Sequence, residues 1–167
     1  MQIKSQFTDK EGKLAEVTYE DADSFSHLLD NKVTQTYGVC FVGDNMVVVY
    51  SSKGGGHWIL PGGSIEDGET FEECLKREIH EESNMRVLSF APIGYQEVHF
   101  DGKIFNQLRY FCIVEPYGDF VSDPDGSITE IKLIDPKDYK QYFDWGEIGD
   151  HIVKRAIEMK EEYYKNK

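Results

Sequence analysis

Between Gly63 and Met85 the chain reads GSIEDGETFEECLKREIHEESNM, and this stretch admits few folded arrangements. Thr70 and Glu73 have the spacing of a capping box, which predicts an N-cap at Thr70 and a helix over residues 71–83. Advancing each residue by about 100° around the axis puts Phe71, Leu75 and Ile79 within one sector of about 80°, with Cys74 just outside it. Glu73, Lys76 and His80 take the opposite side, and Glu72 borders it. Glu82 falls inside the apolar sector; Glu78 falls inside it once Cys74 is counted, and Glu81 lies at the edge that Cys74 sets. A solvated acidic helix would instead place its carboxylates beside Lys76.

Carboxylates on an inward face must be paired or must bind a cation, because an isolated buried charge is too costly. Arg77, one of four arginines in the chain, cannot neutralise three of them alone. Clustered like charges also push pKa values up unless a cation is present. Oxygen-only ligands at this density suit a hard ion, Mg²⁺ or Mn²⁺, better than zinc. The i, i+3, i+4 spacing of Glu78, Glu81 and Glu82 directs all three toward one region.

With the Pro61-Gly62-Gly63 turn ahead of it, this stretch resembles the signature of the Nudix hydrolases, G-x5-E-x7-R-E-U-x-E-E-x-G-U, where U is aliphatic. The match falls on Gly63, Glu69, Arg77, Glu78, Ile79, Glu81, Glu82 and Met85. Asn84 stands where the pattern has glycine. Asn is the next most tolerant residue of a left-handed helix end, at a cost of up to about 1 kcal/mol. The resemblance implies hydrolysis of the diphosphate linkage of a nucleoside diphosphate derivative, such as a nucleoside triphosphate or a nucleotide-sugar. It implies Glu78, Arg77 and Glu82 as catalytic residues, with Glu78 as base or water-orienting group. Mg²⁺, or Mn²⁺ in its place, would be held by Glu78, Glu81, Glu82 and the backbone carbonyl of Gly63. Glu69 would fix the loop and Arg77. The rival reading is a Nudix-fold sensor that binds a nucleotide without hydrolysing it; such modules usually lose box glutamates, and this chain keeps them all.

At 167 residues, with 40% hydrophobic and 13% aromatic content, the chain suits one domain that buries most of its unfolded surface. The net charge is −13, from 31 acidic and 18 basic residues. That argues against a nucleic-acid polymer as a non-specific partner, since no basic excess is available to displace counterions. It fits a small phosphorylated, nucleotide-type substrate once bound cations reverse the local sign. No apolar run approaches a membrane span, and MQIKSQFTDK lacks a signal-peptide stretch, so a cytoplasmic protein is expected. Cys40, Cys74 and Cys112 read as reduced, buried thiols.

Residues 2–8 and 13–20 read as strands about the turn 9–12, and residues 23–30 as a short helix. Strands follow near 37–42, 46–50, 86–100, 104–115 and 130–134, with the helix at 71–83 between them. Pro136 leads a helical turn. Ile148, Ile152, Ala156, Met159 and Tyr163 form the inward stripe of a C-terminal helix. This order indicates an α/β domain with a mixed sheet, and the resemblance implies a Nudix-like α/β/α sandwich. Residues 34–167 are assigned to that hydrolase domain. Residues 1–33 form an N-terminal extension, expected to complete a homodimer or to lid the pocket.

Gly54-Gly55-Gly56 lacks the ending and the following helix of a phosphate-binding P-loop and is read as a hairpin loop. The segment 123–128 is acidic, but Val121 and Lys132 would occupy the first and last ligand positions of an EF-hand, which excludes one. The resemblance implies that such a loop can supply a late metal ligand or base, with Asp125 and Glu130 as the candidates. The resemblance places Glu97 and Arg109 on strands that border the substrate cleft, and the fork of Arg109 suits phosphate oxygens. Trp58 and Tyr37 are candidates for stacking on a base, with Trp58 read chiefly as core.

Overall fold

Alternating apolar residues along most strands give the sheet two buried faces, and one long helix covers each. The computed structural model describes residues 1–167. The chain opens with a hairpin of β1 (Gln2–Thr8) and β2 (Leu14–Asp21), whose turn is closed by the Asp9 carboxylate accepting from the amides of Glu11 and Lys13. A second hairpin, β3 (Val33–Val42) and β4 (Asn45–Ser51), leads through a 3-10 turn at Lys53–Gly55 to the short β5 (His57–Ile59) and β6 (Gly62–Ser64). Helix α1 (Phe71–Ser83) follows, then the long pair β7 (Met85–Phe100) and β8 (Lys103–Pro116), then β9 (Ile128–Ile134). A 3-10 turn at Pro136–Gln141 precedes α2 (Gly146–Lys165).

The strands join one nine-stranded sheet in the order β1-β2-β7-β8-β3-β4-β5, with β6 beside β3 and β9 beside β4. Every pairing is antiparallel except β3 with β8, so the sheet is mixed. On one face α2 packs Ile148, Ile152, Val153 and Ala156 against Val39, Phe41, Met46 and Phe111. On the other, Leu75 and Ile79 of α1 pack with Cys40, Val47, Leu108, Tyr110 and Cys112. Neighbours along β3 and β8 therefore divide between the two cores, as the period-two geometry of a strand requires. Full burial of such apolar side chains contributes roughly 1.5–3 kcal/mol each. The result is the expected α/β sandwich. No helix is long and apolar enough to cross a membrane.

The N-terminal hairpin is continuous with this sheet: β2 pairs with β7 from Ala15 opposite Phe100 to Asp21 opposite Gly94. Asp21 also accepts from Tyr19 at 2.9 Å and lies 2.8 Å from His151 Nε2, which fastens the hairpin to α2.

One expected element is not formed. Residues 23–30 contain no α-helix; Leu28 closes a turn on Phe25, and a 3-10 turn follows at Asp30–Lys32. Ser24 Oγ accepts the Ser26 amide at 3.1 Å, a local bond that competes with helix formation. Phe25 is meanwhile drawn into the α1-side core, edge-on to Tyr110 at 5.1 Å and Tyr95 at 6.5 Å. Burying that ring outweighs a weak local helical preference.

Candidate active site

Helix α1 presents its carboxylates through its caps and its apolar stripe. Thr70 Oγ1 accepts the Glu73 amide at 3.1 Å, and the Glu73 carboxylate accepts the Thr70 amide at 3.4 Å. At the other end Asn84 takes φ 54° and ψ 45°, its amide bonds to His80 O, and its side chain donates to Asp119 O at 3.1 Å. Left-handed backbone at this residue is what the pattern's glycine would supply. Between the caps, Leu75 and Ile79 are fully buried and carry Glu78 and Glu82 inward with them, each only 7% exposed. The carboxylates sit on the inward face that the spacing of the apolar residues defines.

The Pro-Gly-Gly turn meets this face closely. β6 sets Gly62 opposite Tyr37 and Gly63 opposite Thr36 on β3. The Gly62 amide donates to Glu82 Oε1 at 2.7 Å. A Cβ on Gly63 would stand 2.6 Å from the Glu78 carboxylate and would displace it.

Arg77 is the single cation among these groups. Its Nε and Nη2 grip both oxygens of Glu69 at 2.7 and 3.0 Å, a fork-on-carboxylate pair. Nη1 donates to Glu78 at 2.8 Å and to Glu81 at 3.3 Å, and Nη2 also reaches Ser64 O at 2.9 Å. Glu69 additionally accepts the Glu66 amide at 3.1 Å. The Arg77 bond holds the Glu69 carboxyl below its usual range, and the same pairing raises Arg77 further above its own.

Glu69, Glu78 and Glu81 thus share one guanidinium. Burial pushes Glu82 up to about 8, reinforced by the charges of Glu78, Asp123 and Asp125 and opposed by the Gly62 amide. Burial also raises Glu78 and Glu81, with Arg77 opposing in both. Glu81, Asp123 and Asp125 bring carboxylate oxygens within 4.8 Å of one another. An all-oxygen, strongly negative donor set of this kind matches a hard divalent cation. Asp125 is exposed on the loop before β9, where the charges of both aspartates bear on Glu81 and Glu82. Asp123 escapes a reading of the sequence. It is buried, and its carboxylate accepts from the Asp125 and Ile128 amides and from Ser127 Oγ, so it shapes the loop. Its one local signal is the Asp-x-x-Gly-Ser composition of an Asx-type turn.

None of the remaining candidates bonds to these carboxylates. Glu97, on β7, bonds to His99 Nε2 at 2.7 Å. Glu130 is exposed on β9 opposite Tyr50. Trp58 is packed edge-on to Tyr50 at 5.2 Å and Tyr142 at 5.5 Å, in agreement with its reading as core. Arg109 and Tyr37 instead line a cavity of about 570 Å³ on the α2 face, with Trp145, His57 and Ile59.

The NUDIX domain family model matches residues 32–156. The nucleoside triphosphatase NudI of Salmonella arizonae is 30% identical over 103 residues, covering 50% of this chain and 70% of that protein. The MutT4 protein of Mycobacterium tuberculosis is 32% identical over 79 residues, 46% of this chain; the chain spans only 32% of that relative's length. Among solved structures, the Bacillus subtilis pyrophosphohydrolase BsRppH has a TM-score of 0.70 at 18% identity and covers 93% of this chain and 97% of its own. A C. elegans Ap4A hydrolase has a TM-score of 0.55 at 16% identity, covering 74% of this chain and 93% of its own. These likenesses establish the fold, and the family match spans the helix, the turn and the carboxylates described above. The chain belongs to the Nudix hydrolase superfamily.

Proposed function

We propose that this protein hydrolyses the diphosphate linkage of a nucleoside diphosphate derivative, with Mg²⁺ or Mn²⁺ as its metal. The observation that carries this reading is the burial of Glu78 and Glu82 on the inward face of α1, where Arg77 pairs with Glu78 and Glu82 is held by the Gly62 amide with no cation bonded to it. Such an arrangement is stabilised by a divalent ion and strained without one. The name of the Salmonella relative favours a nucleoside triphosphate as substrate.

Glu78, Glu81, Glu82 and the carbonyl of Gly63 would hold the metal, with Asp123 and Asp125 completing the negative field around Glu81. When bound, the ion would neutralise charge on the diphosphate and acidify an attacking water. Arg77, clamped by Glu69, holds Glu78 and Glu81 in register, and the Gly62 amide holds Glu82. Glu78 is the residue we assign as base or water-orienting group. Its raised proton affinity suits that role, since a general base works best with a pKa nearer the operating pH.

The test is product analysis over deoxynucleoside triphosphates, ADP-ribose, nucleotide-sugars and dinucleoside polyphosphates, each with Mg²⁺, with Mn²⁺ and with EDTA. Metal-dependent turnover that disappears in Glu82→Gln is expected. Nucleotide binding with no turnover of any of them would replace this reading with that of a sensor.

A further inference from the structure

We propose that the cavity on the α2 face is an anion-receiving subsite, in which Arg109 binds a phosphate or carboxylate carried by the substrate at the end remote from the scissile diphosphate. This rests on the assignment of hydrolysis to the α1 carboxylates.

Arg109 differs from the other three arginines. Arg77 pairs with Glu69, Arg86 with Glu115 and Arg155 with Asp23. Arg109 is 4% exposed and bonds only neutral acceptors, all at long range: Leu108 O at 3.4 Å, Gln96 Oε1 at 3.3 Å and Gln107 Oε1 at 3.4 Å. Its Nε has no partner. The guanidinium lies over the Tyr37 ring at 4.8 Å and the Trp145 ring at 5.7 Å, contacts that orient the fork without neutralising it. Burial lowers its pKa to about 10, which leaves it charged at neutral pH. A buried charge without a counterion is costly in any fold. Here it borders open space, in a chain whose net charge of −13 gives no general reason to attract anions.

The subsite also lies within reach of the proposed chemistry. Tyr37 is the register partner of Gly62 on one side and of Arg109 on the other. The backbone of Arg109 is therefore two strand spacings, about 10 Å, from the backbone whose amide holds Glu82. His57 and Ile59 line the same cavity a few residues before that glycine. Ser5, Phe7 and Val17 of the N-terminal hairpin supply another wall, and they precede the residues matched by the family model. Asp144 also lines the cavity; it is exposed and accepts the Gly146 amide at 2.9 Å.

Binding and turnover test this separately. Metal-free protein in EDTA is titrated with inorganic phosphate and with citrate, against chloride at equal ionic strength, following tryptophan fluorescence and thermal midpoint. A saturable response beyond that of chloride is expected, present in Glu82→Gln and lost in Arg109→Gln. No response in the wild type would overturn the proposal, and the wild-type thermal shift alone decides if Arg109→Gln does not fold. Turnover then compares UDP-glucuronate with UDP-glucose for a carboxylate, and the 2′-phosphate of ADP-ribose with ADP-ribose for a phosphate. At least a tenfold higher kcat/KM is expected for the charged member of one pair, falling to parity in Arg109→Gln. Equal use of both members of each pair, or a preference that survives Arg109→Gln, would overturn it. Absence of any turnover alongside Arg109-dependent phosphate binding would remove the hydrolysis reading and leave the anion site standing.

Discussion

The backbone amide of Gly62 donates to the carboxylate of Glu82 at 2.7 Å, across twenty positions of sequence. That bond ties the strand ahead of α1 to the last turn of the helix, and it opposes the desolvation that drives Glu82 toward its protonated form.

Because Gln offers the same acceptor oxygen, Glu82→Gln should keep this bond and lose only the charge. We expect kcat to fall on the order of 10²- to 10⁴-fold, the range associated with a positioned acid–base or charge-stabilising group. The circular dichroism spectrum should match the wild type. Unaltered turnover in the folded variant would refute the assignment of Glu82.

The same carboxylate makes a statement about pH. Its folded pKa of about 8 lies well above the roughly 4.3 of an unfolded glutamate. Folding therefore favours the protonated form. Its contribution to stability is fully present below the unfolded value and is lost as pH rises through the folded one. In EDTA, the thermal midpoint of the wild type should fall relative to that of Glu82→Gln between about pH 5 and pH 8. Calorimetry of both proteins across that window checks it, and a difference independent of pH would contradict titration of Glu82 as the cause. Added Mg²⁺ should raise the wild-type midpoint at pH 8, by mass action on the folded state.

Gly63→Ala tests the close approach of the turn to the helix. The added methyl would stand 2.6 Å from the Glu78 carboxylate and must displace it. We expect a loss of kcat of tenfold or more, because small misplacements of reacting groups carry large rate penalties. Gly68→Ala makes a useful contrast, since nothing lies within 4 Å of its added Cβ, although its φ of 80° carries backbone strain. Steady-state kinetics should separate the two.

Asn84 adopts φ 54° and ties its side chain to Asp119 O. Asn84→Ala should cost about 1 kcal/mol, from the left-handed backbone and the lost bond. Asn84→Gly regains backbone freedom while losing the same bond, and should remain within about 0.5 kcal/mol of the wild type. Urea denaturation of the three proteins gives the comparison.

Much of the site was legible because its determinants are local. Thr70 and Glu73, the Phe71–Leu75–Ile79 stripe and Asn84 lie within fifteen residues, and a helix of fixed pitch converts their spacing into direction. Glu78 and Glu82 could therefore be assigned inward from spacing alone. The same reasoning found the strands of the three hairpins and the stripe of α2. It failed at residues 23–30, where the destination of Phe25 lies beneath Tyr95 and Tyr110, some seventy residues away or more.

What this sequence determined by itself is the chemistry of α1: a capped helix that must bury two carboxylates, and a turn with no side chains to obstruct them. What only the tertiary structure decided is everything that depends on long-range pairing. The parallel register of β3 and β8 sets Tyr37 beside Arg109, the chain before α2 lays Trp145 near the guanidinium, and the hairpin of β1 and β2 walls the cavity they share. The loop before β9 likewise carries Asp123 and Asp125 to Glu81 from some forty residues away. Helix periodicity is a property of neighbouring residues, whereas strand register and loop placement are settled by burial between segments that have no fixed spacing in the chain.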